Sequence, residues 1–320
     1  MTDKIKEMKK IELHLHLDGS LEIETAMELS GLDKDEVMNK MIASDKCRDL
    51  TEYLTKFDLP ISIMQDKNSL VRVASDLVKY LDNENVIYAE VRFAPIFHTK
   101  NGLSMEEVIE AVLEGLSNGK VKTNLILCMM RGMDKETNLM VIDVASKYLG
   151  KGVCAVDLAG DECTYPLEEY LELFEIAKRE NIPFTIHAGE SGSAIEVKKA
   201  IEIGATRIGH GIHSIEDDDV LELIKEKNVL LEICPTSNVQ TNNVEEYYEH
   251  PIHKLYKLGV KLNINTDNKT VSNVSISEEY RKLRDSFNFS DEDFKIMNIK
   301  AIESAFLSVE EKQELLKELS

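Results

Sequence analysis

The chain has 320 residues and carries 59 acidic against 38 basic side chains, which gives a formal net charge of −21. This excess of negative charge argues against a nucleic-acid partner, because a phosphate backbone attracts basic surfaces. Hydrophobic residues make up 43% of the chain, enough for a large core, so the composition also argues against an intrinsically disordered protein.

The five cysteines are odd in number, scattered, and never arranged as C-x-x-C. This pattern disfavours both a disulfide framework and a thiolate zinc finger. The first ten residues, MTDKIKEMKK, contain no apolar signal segment, and no apolar stretch approaches the roughly 18 residues of a membrane span. We therefore expect a cytoplasmic protein with no membrane partner and no obligate protein partner.

Eight short apolar runs recur along the chain and predict β-strands. They cover residues 11–17, 86–93, 121–130, 153–159, 183–187, 206–209, 229–233 and 260–265. Between most of them, apolar residues at intervals of three and four predict helices. The predicted helices lie at about 104–118, 134–148, 167–180, 193–203, 216–227 and 250–258.

Eight alternations of strand and helix favour an α/β fold, a single (β/α)₈ TIM barrel that forms one domain over residues 1–320. An open doubly wound sheet is the alternative, but the glycine-rich phosphate turn of its dinucleotide-binding version is missing. The segment between strands 1 and 2 is unusually long, and we expect extra helices to be inserted there, at about 20–85.

This insertion contains an apolar stripe. Leu50, Tyr53, Leu54 and Phe57 stand at positions i, i+3, i+4 and i+7, so a helix would carry them on one face. Core packing is the preferred interpretation of the stripe. A cover over a pocket at the barrel mouth is the alternative.

Polar side chains at the carboxyl ends of the strands indicate where a barrel has its chemistry. Residues 11–17 alternate, which predicts Glu12, His14 and His16 on one face of the first strand and apolar residues on the other. His187 ends the fifth strand, and His210 lies between two glycines after the sixth. The polar face of the eighth strand leads to a carboxylate, Asp267.

Five strand-end groups are therefore expected to converge: His14, His16, His187, His210 and Asp267. Three histidines, one carboxylate and an open position suit a catalytic zinc ion. Glu190, three residues beyond His187, is a candidate general acid or base. The segment 157–162 contains no lysine, which disfavours a two-metal site bridged by a modified lysine. The remaining histidines are interpreted as structural: His98, His213, His250 and His253.

Six short motifs follow one another in a fixed order. They read HLHLDGS at 14–20, AEVRFAP at 89–95, DLAGDE at 157–162, HAGE at 187–190, GHGIH at 209–213 and NTDN at 265–268. As a set they resemble the adenosine deaminase family. The resemblance implies a barrel holding one zinc ion per chain and a small purine nucleoside as partner. It also implies hydrolytic deamination of adenosine, and of 2′-deoxyadenosine, to inosine and ammonia in nucleoside catabolism and purine salvage.

The same resemblance implies roles for individual residues. The zinc ligands would be His14, His16, His187 and Asp267. Asp267 would also orient the attacking water, and Glu190 would protonate N1 of the purine. His210 would assist formation of the hydroxide and stabilise charge at C6. The substrate would be bound by His16, Asp18, Gly160 and Asn268, with Asp18 on a ribose hydroxyl and the Gly160 amide on N3.

One position departs from the family pattern. Many members carry a second aspartate and then proline after the zinc aspartate, whereas this chain has Asn268 and Lys269. An asparagine amide can donate to purine N7 without being protonated first, so adenosine remains the expected substrate.

Three alternatives stay open from the sequence. One is an adenine or aminofutalosine-type deaminase on the same barrel, and another is a metal-dependent amide or phosphoester hydrolase. The third is a non-catalytic, zinc-stabilised purine-binding protein. Glu190, His210 and Asp267 together argue against the third, since a pure binder needs neither an acid nor an activated water.

Overall fold

Eight parallel strands close into a barrel in the computed structural model, which describes residues 4–319. The strands are β1 Lys10–His16, β2 Val86–Phe93, β3 Lys122–Met130, β4 Val153–Ala159, β5 Thr185–Ala188, β6 Arg207–His210, β7 Leu230–Ile233 and β8 Lys261–Ile264. Strands β1–β4 and β5–β8 form two four-stranded sheets. Bridges between Val156 and Phe184 and between Leu15 and Asp267 join the two sheets at both edges. The predicted (β/α)₈ TIM barrel is confirmed.

Helices follow the strands and cover the outside of the barrel. They are α1 Lys4–Glu7, α2 Ile23–Ser30, α3 Lys34–Met41, α4 Leu50–Leu54, α5 Asp58–Ile63, α6 Lys67–Asn83, α7 Met105–Leu116, α8 Lys135–Tyr148, α9 Leu171–Arg179, α10 Ala194–Glu202, α11 Asp218–Glu226, α12 Pro235–Gln240, α13 Ile252–Lys257, α14 Ile276–Phe287, α15 Asp291–Ser304 and α16 Val309–Leu319. Local signals fix several boundaries; Ser104 and Glu107, for example, form a capping box at the start of α7. Within residues 4–319 no helix has the length and apolar character that a membrane span requires.

The long first β/α unit contains the inserted helices that its length predicts. Helices α2–α5 precede α6, which packs against β2 and α7. The short helix α4 and the turn after it carry the apolar stripe and lie at the carboxyl end of the barrel, beside the residues that follow β1 and β8. The insertion therefore supplies part of the wall around the barrel mouth.

The simple alternation predicted for β1 is wrong. Its pairing with β2 shifts register between Glu12 and Leu15, and such an irregularity re-aims the side chains on either side of it. Ile11 and Leu13 pack in a small cluster apart from the main core, to which Leu15 belongs. Glu12 does not join the histidines: it accepts hydrogen bonds from the backbone N–H and the hydroxyl of Thr266.

The barrel interior contains a buried ionic network as well as apolar side chains. Arg92 donates to Asp157 at 2.9 Å and to Glu232 at 2.8 Å. Arg207 donates to Glu232 at 2.7 Å and to Glu90 at 2.5 Å. All five side chains are fully buried, so the low local dielectric requires that each charge be paired. The network links β2, β4, β6 and β7 and lies inside the barrel, beneath the strand ends.

Candidate active site

Four proposed metal ligands meet at the carboxyl ends of the strands. His14 and His16 lie in β1, His187 lies in β5, and Asp267 follows β8. One nitrogen or oxygen atom from each lies within 4.8 Å of the corresponding atoms of the others. Nε2 of His14 and Nε2 of His16 are each 3.4 Å from Oδ1 of Asp267. The structure thus brings together residues that are up to 253 positions apart in the chain.

A buried carboxylate holds the ring of His14, and another lies beside the ring of His187. Nδ1 of His14 lies 2.9 Å from Oε2 of Glu232, and Nδ1 of His187 lies 2.9 Å from Oδ2 of Asp157. A carboxylate at Nδ1 keeps the proton there and leaves the lone pair of Nε2 for a metal ion. Nε2 of His14 is buried and has no hydrogen-bond partner within residues 4–319. Such an orphaned atom fits a ligand position, and three imidazoles with one carboxylate suit a divalent ion such as zinc.

The charge states of two of the ligands, His16 and Asp267, also fit a metal site. Burial lowers the pKa of His16 well below its usual value, so the ring is neutral and its lone pair is available. Burial alone would raise the pKa of Asp267, but the nearby imidazoles, His14 first among them, keep it well below the ordinary range. The Asp267 backbone has a φ of +60°, in the left-handed region that residues other than glycine adopt less readily.

A second grouping of possible ligands fits a metal less well. It shares His14 and Asp267 with the first set but replaces the other two residues by His210 and Cys234. Burial raises the pKa of the Cys234 thiol well above its usual value, and a neutral thiol is a poor ligand. The set with His16 and His187 is therefore the better candidate.

Glu190 lies beside this cluster on the loop after β5. Its side chain is buried and its Oε2 is 3.6 Å from Nε2 of His210. Burial, followed by the negative charges of Asp267 and Glu162, raises the pKa of Glu190 well above its ordinary value. A carboxylic acid that stays protonated at neutral pH can donate a proton to a bound substrate.

Glu162 holds the loop that carries Glu190. Its buried carboxylate accepts hydrogen bonds from four successive backbone N–H groups, at 2.6–2.9 Å. The donors are Gly189, Glu190, Ser191 and Gly192. No role was predicted for Glu162 from the sequence. Glu162 nevertheless ends the DLAGDE motif, and a charged residue that follows a strand end is a usable signal.

A cavity of about 270 Å³ opens over these groups, and the apolar stripe of the insertion lines it. Leu50, Leu54 and Phe57 are only half-buried and face the cavity, whereas Tyr53 is buried and bonds Oγ of Ser272 at 2.7 Å. Leu50 and Phe57 also pack against the small buried cluster that contains Tyr53, so the stripe serves both core packing and the cover of the cavity. A helix face that covers a barrel mouth must be apolar for the same reason as a core face, which is why periodicity could not separate the two uses.

Three predicted substrate-binding residues line the same cavity: Asp18, Gly160 and Asn268. Burial raises the pKa of Asp18 to about 6. A side chain on Gly19 would place Cβ 2.0 Å from Oδ1 of Asn268, so glycine is required for this close approach. Lys269 points elsewhere: it pairs with Glu22 at 2.9 Å and lies over the ring of Tyr80.

The other histidines differ in their surroundings. His98 is buried and its Nδ1 donates to the carbonyl of Met64, while His213 is half-buried and lies 2.8 Å from Glu216. His253 stacks on Phe287. These three fit the structural interpretation, but the fourth, His250, bonds to Asn238, whose side chain also contacts His210.

The contact between Glu232 and His14 leads to a testable expectation. Replacing Glu232 by glutamine should lower the zinc affinity by roughly 10–100-fold, because the amide orients the His14 ring and supports its basicity less well than the carboxylate. Competition with a chromophoric chelator measures this affinity. Glu226→Gln, on the exposed end of α11, is the matched control and should bind zinc like the parent protein. An unchanged affinity in Glu232→Gln would contradict the orienting role.

Comparison with known proteins gives concordant matches over almost the whole chain. A family model described as adenosine deaminase matches residues 9–320. A relative named adenosine deaminase, from Clostridium botulinum (strain Kyoto / Type A2), is 44% identical over 322 residues, covering 96% of this chain and 96% of its own.

Two solved structures share the fold at lower identity. An adenine deaminase from Arthrobacter aurescens superposes with a TM-score of 0.88 at 25% identity, covering 97% of both chains. The N6-mAMP deaminase of Arabidopsis superposes with a TM-score of 0.89 at 27% identity, covering 99% of both chains. The barrel is thus shared by proteins whose names indicate different adenine-containing substrates.

Proposed function

The chain belongs to the adenosine deaminase family and is a hydrolase acting on adenosine, and from this premise we propose which residues and which metal carry out the reaction. One observation supports the assignment most strongly. A buried carboxylic acid, Glu190, lies in the same cavity as the cluster of three histidines and one aspartate. Hydrolytic deamination needs both an activated water and a proton donor for the purine.

We propose that His14, His16, His187 and Asp267 hold one zinc ion per chain. A zinc ion bound there would lower the pKa of a water molecule from its bulk value to around 7. The donor set favours zinc because imidazole and carboxylate ligands with an open position are typical of catalytic zinc sites. Glu232 keeps the His14 ring in the orientation and tautomer that ligation requires, and Asp157 lies 2.9 Å from Nδ1 of His187.

Glu190 is the proposed acid of the reaction. Protonation of purine N1 withdraws electrons from C6 and makes that carbon a better electrophile. An ordinary glutamate, with a pKa of about 4.3, would be ionised at neutral pH and unable to donate. Burial and the neighbouring carboxylates Asp267 and Glu162 keep Glu190 protonated, so a proton is available where N1 would lie.

His210 and Asp267 are the proposed partners of the attacking water. Oδ2 of Asp267 accepts a hydrogen bond from Oγ of Ser237 at 2.7 Å, which leaves Oδ1 facing His14 and His16. Nε2 of His210 lies 4.0 Å from Oδ2 of Asp267 and 3.6 Å from Glu190. His210 can thus stabilise negative charge that develops on the attacking oxygen while Asp267 orients the water.

The remaining lining residues are proposed to bind the nucleoside. Gly160 has a φ of +104°, a conformation open to glycine, and its amide is assigned to purine N3. Asn268 is assigned to N7, Asp18 to a ribose hydroxyl, and His16 borders the substrate as well as the metal. The half-buried side chains of α4 and Phe57 would cover the sugar and the base and exclude water.

The charge of the cavity favours a nucleoside over a nucleotide. Four carboxyl groups line it, and among the lining residues within 4–319 there is no lysine or arginine. Phosphate recognition normally uses such cations, so AMP-type substrates should bind poorly. A free base would leave Asp18 without its hydroxyl partner, and an unpaired buried group disfavours adenine.

A direct assay distinguishes these substrates. Release of ammonia from adenosine, adenine and AMP, and of methylamine from N6-methyl-AMP, is measured in parallel on zinc-loaded protein. We expect kcat/KM for adenosine to exceed the other values by at least about 100-fold. Preference for adenine or for either nucleotide would overturn the proposed substrate. Zinc analysis of the same sample shows whether a negative result reflects an empty site.

The loop held by Glu162 gives a further expectation. Glu162→Gln places an amide N–H₂ against a nest of backbone donors and removes a charge that keeps Glu190 protonated. We expect kcat for adenosine to fall by roughly 10–100-fold, because small displacements of a catalytic group are costly. The matched control is Glu169→Gln, in the nearby turn Leu167–Tyr170. The Glu169 side chain is exposed, so its replacement should leave kcat unchanged. Parental kcat in Glu162→Gln would rule out the positioning role.

The domain organisation and cellular location are also proposals. We infer one metal-dependent deaminase domain over residues 1–320, because the family match and the closed barrel run nearly end to end. A cytoplasmic location is supported by the five cysteines, all of which are free thiols. Free thiols persist in reducing compartments.

A further inference from the structure

A chain of buried hydrogen bonds runs from His250 to His210. Nε2 of His250 lies 3.1 Å from Oδ1 of Asn238, and Nδ2 of Asn238 lies 3.0 Å from Nδ1 of His210. All three side chains are buried, and Asn238 is fixed in α12 by backbone hydrogen bonds on both of its sides. None of this network touches the cavity except through His210.

The protons in this series of hydrogen bonds can be assigned by starting at His250. The backbone N–H of Ile252 donates to Nδ1 of His250 at 3.1 Å, and a backbone N–H can only donate. Nδ1 of His250 must therefore be unprotonated and accept this hydrogen bond. Burial lowers the pKa of His250 to about 3, so the ring is neutral and its single proton lies on Nε2.

The next two bonds follow from that proton. Nε2–H of His250 needs an acceptor, which fixes Oδ1 of Asn238 on that side. The amide nitrogen of Asn238 then faces His210 and donates to Nδ1. Nδ1 of His210 is therefore the acceptor, and its ring in the neutral form carries its proton on Nε2, the atom that faces Glu190 and Asp267.

We propose that Asn238 and His250 are positioning residues that hold His210 as the Nε2–H tautomer, so that it acts as a hydrogen-bond donor in the site. This inference rests on the proposed function of His210.

The tautomer also decides what His210 can do. With the proton on Nε2, the ring donates to an oxygen that gains negative charge and cannot remove a proton from it at the same atom. Without the donor on His250, the Asn238 amide is free to rotate and present Oδ1 to His210. His210 would then move its proton to Nδ1 and turn a bare lone pair toward Glu190 and Asp267.

Kinetics on three variants test the proposal. His250→Phe keeps a ring but removes the donor, and kcat for adenosine should fall by roughly 10–100-fold with KM within about threefold, as for other outer-shell partners. His250→Gln retains an N–H near the position of Nε2 and should recover kcat to within about fivefold of the parent protein. His253→Phe, three residues further along, is the matched control and should leave kcat unchanged. Parental kcat in His250→Phe would overturn the proposal.

A spectroscopic measurement makes the test independent of turnover and of whether His250→Phe folds. The ¹⁵N-labelled, zinc-loaded protein should show Nε2 protonated and Nδ1 unprotonated on both His210 and His250. In Asn238→Asp, which has nearly the same shape but no N–H, His210 should show a protonated Nδ1. A protonated Nδ1 on His210 in the parent protein would contradict the proposal. If adenosine is not deaminated but the tautomer is as stated, the positioning stands and the proposed function fails.

Discussion

Glu190→Gln is expected to lower kcat for adenosine by about 10³-fold while the zinc content stays at one ion per chain. The amide has almost the same shape as the carboxylic acid but cannot release a proton to purine N1. Glu190 does not belong to the proposed ligand set, so the metal should remain bound. Steady-state kinetics and elemental analysis of one preparation measure both quantities.

The pH profile of this variant separates loss of the acid from general damage. The pKa of Glu190 is raised, so the protonated form persists to higher pH than in an ordinary glutamate and disappears as the pH rises further. In the parent protein kcat/KM should therefore fall on the alkaline side as Glu190 ionises. The glutamine variant should lack that decline.

The control for Glu190→Gln is the same exchange at Glu202, an exposed residue at the end of α10. It should retain full activity and the parental pH profile. Turnover within threefold of the parent protein in Glu190→Gln would remove the acid assignment. Loss of zinc from that variant would instead place Glu190 among the metal ligands.

His14→Ala is expected to remove zinc as well as activity. A four-ligand zinc site contributes roughly 10–16 kcal/mol, so one ligand accounts for about 3 kcal/mol, or over 100-fold in affinity. The substitution also leaves Glu232 without the Nδ1 proton that it contacts at 2.9 Å, which disturbs the buried network behind the site. Zinc per chain after dialysis should fall below one tenth of the parental value, and turnover should fall with it.

His253→Ala provides the comparison for this experiment, because the His253 ring stacks on Phe287 away from the cavity. It should retain full zinc and full turnover. Zinc occupancy equal to the parent protein in His14→Ala would overturn the assignment of His14 as a ligand. Restored activity at high zinc concentration would support it, since weaker binding can be overcome by mass action.

The fold was predictable because its signals are local and repeated. The second and fourth strands have the predicted bounds, Val86–Phe93 and Val153–Ala159, and the others differ by one or two residues, as frayed strand ends usually do. The register irregularity in β1 was not predictable, since it depends on pairing with β2 rather than on the sequence of β1 itself. The register of pairing between two distant strands does not change the periodicity of either sequence.

The candidate site was predictable to the extent that its residues end strands or stand in motifs. His14, His187 and Asp267 end strands or follow them, and the barrel topology brings such positions together. The residues behind them were missed. Glu232 reads as one charge in the short run LLEI, and only the geometry shows that it orients His14. A charged residue inside an otherwise apolar strand was nevertheless a usable signal, since a buried charge requires a partner.

The role of His250, in contrast, could not be predicted from the sequence. Taken alone it is an ordinary buried histidine, and its connection to His210 passes through Asn238, a residue that carries no signal of its own. Two residues, His250 and Asn238, determine the tautomer of the His210 ring. Only their hydrogen-bond directions in three dimensions reveal it.

The central claim is that one zinc ion in the His14, His16, His187 and Asp267 site drives the deamination of adenosine. Metal-free protein is titrated with zinc while the conversion of adenosine to inosine is followed by absorbance. The rate should rise linearly and reach its plateau at one zinc per chain. A full rate without metal, or a fully zinc-loaded protein that leaves adenosine unchanged, would contradict the claim.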